Sequence, residues 1–323
     1  MAPSQNNIAI SRKISEFAEC MISTRDAAAE LRKRISTRTP TSFIRLGDGE
    51  AVLMSEFALR EKMFDEYIVS HFGPGLSKES VRELSSLLNE SVSGATMIGL
   101  REDMLTGVAD PGWFALPDDA FLERFRETFS LRDPEREDIC LDDSRRLVLL
   151  NLLMAGGIQF KNDVVLTSAW AHFDWAYSGF LTELIMEQSR IGLISCRREL
   201  PEIILKHGLA VDYYPVPSRF IRRQGGWTPH FPKRFKDLLK TLEVSYDGQV
   251  FLVGAGICGK VYCEEIRRRG GIGIDVGSAC DAWLGLSTRP LVLRSKYGSD
   301  RVPVELTLDF QLHRLARGDH SER

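Results

Sequence analysis

The sequence predicts an α/β fold built on a mostly parallel, doubly wound sheet with helices on both faces. Three observations predict it. Short apolar runs alternate along the chain with segments whose apolar residues recur at helical spacing. Several of those runs are continuously apolar, as strands covered on both faces are, rather than alternating. Glycines stand at the ends of the runs and helices, where turns need them.

The elements follow in chain order. Residues 11–35 read as helix: Ile14, Phe17 and Met21 share one face, and Thr24 can cap a second segment carrying Ala28, Leu31 and Ile35. Thr39-Pro40-Thr41 breaks the pattern before the first strand. Strands are expected at 42–46, 95–100, 163–168, 191–196, 210–215, 249–254 and 271–276. Helices are expected near 50–61, 77–92, 142–155, 170–188, 198–207, 231–243 and 258–269, with Gly156-Gly157 and Gly208 as stops and Asp142 or Asp143 as a start. This organisation gives a helical segment over 1–35 and one domain over 36–310. Within it, 102–141 is an insertion or lid rich in Asp, Pro and Arg. A polar tail, 311–323, is expected to fray.

Composition narrows the function classes. The chain has 323 residues, 43% hydrophobic and 27% charged, enough apolar material for a sizeable core. A net charge of −3 gives no overall footprint for nucleic acid or an anionic membrane, so any anion site is local. The six cysteines include no Cys-x-x-Cys pair, the pattern of reduced thiols. The first ten residues are polar and the longest apolar stretch, 147–158, is too short to span a bilayer, so a soluble, cytoplasmic protein is expected.

Two constellations carry chemistry. The first is Gly47-Asp48-Gly49-Glu50, between the strand run at 42–46 and an apolar helical pattern. Ligands of open α/β sheets bind beyond the carboxyl ends of strands, and paired carboxylates there suit Mg²⁺ or Mn²⁺ carrying substrate phosphates. Asp48 as a helix N-cap, with Glu50 in the first turn, is the competing structural reading. The second is Gly254-Ala-Gly256-Ile-Cys-Gly259 between two strand runs, the second ending at Asp275. This spacing matches a dinucleotide fingerprint in which Asp275 accepts from a ribose hydroxyl, although close helix–strand packing also selects such glycines. Gly277 follows, then Asp281, which is either a helix cap, a metal contact or a base for an acceptor hydroxyl.

Other residues are weighed on the same terms. Thr167 or Ser168 can bind phosphate oxygens at a strand end, while Trp170, Phe173 and Trp175 have the spacing of helix packing and His172 that of an exposed or satisfied polar residue. The loop from Ser218 and Arg219 to His230 holds cations, two glycines and Trp227, suiting a clamp over a diphosphate or a solvated basic loop. Arg101 stands at a strand's carboxyl edge, and Cys258 is a reactive or a spectator thiol at a helix start. No Gly-x-Ser-x-Gly elbow and no Walker loop occur.

Arg45-Leu-Gly47-Asp48-Gly49-Glu50, the Val253-Gly-Ala-Gly256 turn, and Ile274-Asp275-Val-Gly277 with Asp281 and Trp283 together resemble the GT-D type glycosyltransferase family. The resemblance implies a Rossmann-like domain over roughly 36–290. It also implies a transferase moving a hexose from a nucleotide sugar, a UDP-sugar, to a hydroxyl of a glycan or glycoprotein, as in surface polysaccharide synthesis. Asp48 and Glu50 would hold Mn²⁺ or Mg²⁺ and the diphosphate, with Arg45 beside them. Taken with the residues weighed above, Gly47, Gly49, Thr167, Arg219, Gly254, Gly256, Asp275 and Gly277 would line the donor, and Asp281, or else Asp275, would serve as the base for the acceptor hydroxyl. Ser278 stands where some members carry histidine. The alternatives are a nicotinamide- or S-adenosylmethionine-dependent enzyme using the 254–259 turn, and a silent nucleotide-sugar-binding module.

Overall fold

The computed structural model describes residues 19–54, 68–69, 71–73, 75–101, 120, 161, 163–218, 229–289, 293 and 298–318. Its strands are β1 (Thr41–Arg45), β2 (Met97–Leu100), β3 (Val165–Ser168), β4 (Arg190–Ser195), β5 (Ala210–Pro215), β6 (Val250–Gly254) and β7 (Ile272–Asp275). Each falls on a run the sequence marks. They form one parallel sheet with helices on both sides, in the order β3-β2-β1-β7-β6-β4-β5, which bears out the expected α/β class. Apolar strands explain the order's centre: β7 reads Ile-Gly-Ile-Asp and is buried throughout, as a strand covered on both faces must be.

The described helices are α1 (Thr24–Ser36), α2 (Asp48–Met54), α3 (Lys78–Gly94), α4 (Ala171–Tyr177), α5 (Phe180–Glu187), α6 (Glu199–Lys206), α7 (Phe235–Thr241), α8 (Cys258–Arg268), α9 (Ala279–Ala282) and α10 (Leu308–Ala316). None of them is long and apolar enough to cross a membrane. The expected helix at 142–155 and the segment 102–141 lie outside the described residues, apart from residue 120.

Contacts divide the chain into two compact units. The first comprises Met1–Ile22, Arg45–Gly94 and Ile98–Ala169; the second comprises Ser23–Ile44, Ala95–Met97 and Trp170–Arg323. In the first unit, α3 turns Leu84, Leu88 and Val92 into the core, and Ser85 Oγ donates to the Leu53 carbonyl of α2 at 2.8 Å. In the second, Trp175 packs 4.7 Å from Phe43 between ring centroids, and its Nε1 donates to the Thr24 carbonyl at 2.8 Å. An aromatic of that size, 2% exposed, contributes about 1.5–3 kcal/mol by burial. Helix α8 lies so close to β7 that a Cβ at Gly273 would come within 2.6 Å of the Cys263 Cα.

Three local expectations are corrected. Ser23, not Thr24, caps α1, accepting from the Asp26 N–H at 3.1 Å. The segment 170–188 is two helices because Gly179 takes φ of 84°, a left-handed conformation that ends one helix and starts the next. The polar segment after Gln311 does not fray at that point. Helix α10 runs through to Ala316, with Leu308 and Leu312 one turn apart and buried, and Gln311 Nε2 donates to the Ala176 carbonyl at 3.1 Å.

Candidate functional site

The first unit carries the Asp-x-Glu turn. Strand β1 ends at Arg45 and α2 begins at Asp48, so Gly47 rather than Asp48 occupies the cap position. Glu50, 6% exposed, folds back so that its Oε2 accepts the Gly47 N–H at 2.9 Å. That is the reach-back half of a capping box. Gly49 lies inside the first turn of α2, and the Asp48 side chain lies outside the described ones. Arg45 Nη1 approaches the Ala169 carbonyl at 3.4 Å. Thr167 is fully buried, and its hydroxyl donates to the Ile22 carbonyl at 3.0 Å; this removes it as an exposed phosphate ligand.

The second unit carries the glycine turn after β6. The three glycines answer three different demands. At Gly254 a Cβ would stand 2.8 Å from Cys280 Sγ, so the strand end is packed tightly against the turn that opens α9. Gly256 takes φ of 58°, and among the described residues nothing lies within 4 Å of the missing Cβ. At Gly259 a Cβ would stand 3.2 Å from Val253 Cγ1, so the missing side chain lets α8 approach its strand.

Asp275 departs from the fingerprint. It is fully buried, and Lys260 Nζ, on the first turn of α8, lies 2.9 Å from its Oδ2. A carboxylate enclosed beside an ammonium is an internal counter-ion, not a ribose acceptor. Gly277, with φ of 45°, turns the chain away, its N–H donating to the Val253 carbonyl at 3.2 Å.

Asp281 sits within α9, so it does not cap that helix. Its Oδ1 accepts from Arg197 Nε at 2.6 Å and its Oδ2 from Thr288 Oγ1 at 2.7 Å. Both carboxylate oxygens are engaged. Arg197 follows β4, and its backbone N–H donates to Ser195 Oγ at 3.1 Å. Burial alone would lower the Arg197 pKa, but the Asp281 hydrogen bond and charge outweigh it and raise it, so the guanidinium stays charged. Burial raises the neighbouring Cys196 thiol despite the Arg197 charge. Cys258 and Cys280 are pushed up to about 12, again by burial, which leaves them as unreactive packing thiols.

Strand order singles out one place on this edge. From β4 the chain crosses to β5 on one side; from β6 it crosses to β7 on the other. The two strands pair with Ser195 opposite Gly254. Adjacent strands whose connections leave in opposite directions define a switch point, and ligands of open α/β sheets bind outside the carboxyl ends there. Cys196-Arg197 and Ala255-Gly256 emerge at that point.

Comparison with known proteins yields the fold. No protein-family model matches the chain, and no curated protein does. Two solved structures match. One is a selenomethionine-substituted structure of the domain of unknown function 1792: TM-score 0.50, 12% identity, 90% of this chain and 86% of that one. The other, of the same domain and described as having a distinct glycosyltransferase fold, gives a TM-score of 0.48 at 13% identity over the same shares. The likeness is one of fold.

Of the residues singled out in the sequence, the first unit brings together Arg45, Gly47, Gly49 and Glu50, and the second Gly254, Gly256, Gly277 and Asp281. Arg219 and the loop to Trp227 lie outside the described residues. Phe173 and Trp175 are buried packing, as their spacing suggests; His172, read as an exposed or satisfied polar residue, is buried with them, its ring centroid 4.2 Å from that of Phe173. Among the described residues no three His, Cys, Asp or Glu side chains cluster as a metal cage. Arg197 is the residue sequence reasoning missed. Its signal was present, since a cation directly after a strand run is the same cue that singled out Arg101.

Proposed function

We propose that this chain is a metal-dependent glycosyltransferase that moves a hexose from a UDP-sugar to a hydroxyl of a glycan or glycoprotein, in the cytoplasm, during surface polysaccharide assembly. The observation that carries the reading is the β1–α2 turn. The sequence Asp-x-Glu falls at a parallel strand's carboxyl end there, and Glu50 Oε2 accepts the Gly47 N–H. The two-motif resemblance to GT-D type glycosyltransferases and the α/β fold support it.

The donor set suits a divalent cation. Mg²⁺ and Mn²⁺ favour carboxylate oxygens and commonly take one or two, completing their shell with substrate phosphates. Glu50 Oε2 accepts a backbone N–H, and a charge-assisted bond of that kind orients a carboxylate. Asp48 and Glu50 would hold the ion, which when bound would neutralise the leaving diphosphate. Arg45, at the end of the same strand, adds a cation for phosphate oxygens. Gly47 and Gly49 add no side chains of their own to the turn. Asp281, with both oxygens held by Arg197 and Thr288, acts as an anchor rather than as the base. The nicotinamide alternative loses its ribose acceptor to the Lys260–Asp275 pair.

Thermal-shift measurements with UDP-sugars, with and without Mn²⁺, test this together with donor hydrolysis. Ligand at about 100 times its Kd stabilises by roughly 2.7 kcal/mol. Asp48→Asn and Glu50→Gln are expected to remove the metal-dependent stabilisation. Glu50→Gln should leave the unliganded melt in place, because the amide oxygen still accepts the Gly47 N–H. Unaltered metal-dependent donor binding in both variants would sink the assignment.

A further inference from the structure

We infer that Arg197, aimed by Asp281 at the β4–β6 switch point, forms an oxyanion site that takes the phosphate groups of a nucleotide. This deepens the glycosyltransferase reading and rests on it for the nucleotide's identity, but not for the anion chemistry. Arg197 commits Nε to Asp281 Oδ1 at 2.6 Å, and Thr288 fixes that carboxylate from the other side. Both terminal amino groups of Arg197 lack a hydrogen-bonding partner among the described residues, although its side chain is only 19% exposed. A guanidinium so held is unusual. Most of the side chain is covered while its terminal amino groups still reach solvent, and among the described residues four of its five N–H donors are uncommitted.

The chemistry that matches is a planar fork receiving two oxygens of one phosphate. Asp281 orders the fork beforehand, so less side-chain freedom is lost when the anion arrives. The surroundings are compatible with an incoming group. Ser195 and Gly254 are register partners, so the Arg197 and Gly256 turns leave the sheet side by side. Among the described residues nothing lies within 4 Å of where a Gly256 Cβ would stand, which leaves room for a ligand to approach the backbone there. Asp281 and Glu199 are the nearby acids acting on the Arg197 charge, and neither bonds to its terminal amino groups.

The test is calorimetric titration of the full chain with UDP, inorganic pyrophosphate and uridine, in EDTA so that Asp48 and Glu50 contribute no metal. Arg197→Gln is expected to weaken UDP and pyrophosphate at least tenfold and to leave uridine unchanged. Arg197→Lys keeps the charge but loses the fork, and should recover less than half of the lost binding free energy. The double variant Arg197→Gln/Asp281→Asn removes both members of the pair, so its unliganded melt separates misfolding from lost binding; it should bind like Arg197→Gln alone. Equal pyrophosphate affinity in wild type and Arg197→Gln, or no pyrophosphate and UDP binding by the wild type, overturns the proposal. The glycosyltransferase reading fails separately, by absence of UDP-sugar turnover with Mn²⁺ while Arg197-dependent UDP binding persists.

Discussion

Removing the ammonium of Lys260 should cripple the second unit's stability, because it leaves Asp275 charged in the interior. Lys260 and Asp275 side chains are 6% and 1% exposed, 2.9 Å apart. At an effective dielectric of about 20 the gross attraction at that separation is roughly 6 kcal/mol, most of it offset by the desolvation of both ions. The net worth of the pair is therefore small, whereas the cost of breaking it is not: about 3–5 kcal/mol for Lys260→Met. Asp275→Asn should cost a similar amount by leaving a buried ammonium without its counter-charge. The double variant Lys260→Met/Asp275→Asn should recover most of the loss, since no charge is stranded. Urea unfolding of the four proteins measures this, read as a shift in midpoint at constant slope. Additive losses, with no recovery in the double variant, would refute the paired description. So would an Asp275→Asn protein of wild-type stability that no longer binds UDP, for then the carboxylate would be serving ligand and not the fold.

Other outcomes follow from the same geometry. His230 Nε2 meets the Tyr262 hydroxyl at 2.8 Å, and burial lowers its pKa to about 3, with the Arg234 charge acting the same way. The unfolded chain thus binds a proton below about 6.5 that the folded chain refuses. Stability should fall as pH drops through that window, by at most about 1.4 kcal/mol per unit, and His230→Gln should flatten that part of the urea-derived profile. Gly273→Ala places a methyl 2.6 Å from the Cys263 backbone and should cost about 1–3 kcal/mol or more, visible in thermal unfolding. Glu50→Gln and Asp48→Asn should abolish Mn²⁺-dependent donor binding, and Arg197→Gln should weaken UDP at least tenfold in EDTA.

Much of the fold was legible because its signals are local. Seven apolar runs with flanking glycines located seven strands, and Gly208, with φ of 77°, does end α6. What the sequence does not carry is adjacency. Nothing in Gly254-x-Gly256-x-x-Gly259 distinguishes a glycine that admits phosphate from one that admits Cys280, and Gly254 proves to be the second kind. The acid at Asp275 fits a ribose acceptor in one dimension. In three it faces Lys260, fifteen residues earlier in the chain, on the helix the glycines introduce. Arg197 escaped notice for the same reason. Its significance depends on strand order, and that β4 and β6 are neighbours with diverging connections is a property of pairing, not of any short segment. Likewise α10 reads as a charged tail until Gln311 is seen bonding across to Ala176.

The seating of β7 beside β1 has a consequence for biogenesis. Thr41 lines up with Ile272, so the first of the described strands to leave the ribosome waits for the last of them. Until β7 arrives, β1 presents a naked hydrogen-bonding edge, a template for mispairing with other chains. Joining such distant partners makes the ordering slow. A nascent chain halted before residue 272 should be protease-sensitive and prone to self-association, and emergence of β7 from the ribosome, rather than collapse of the first hundred residues, should set the moment at which the sheet becomes native.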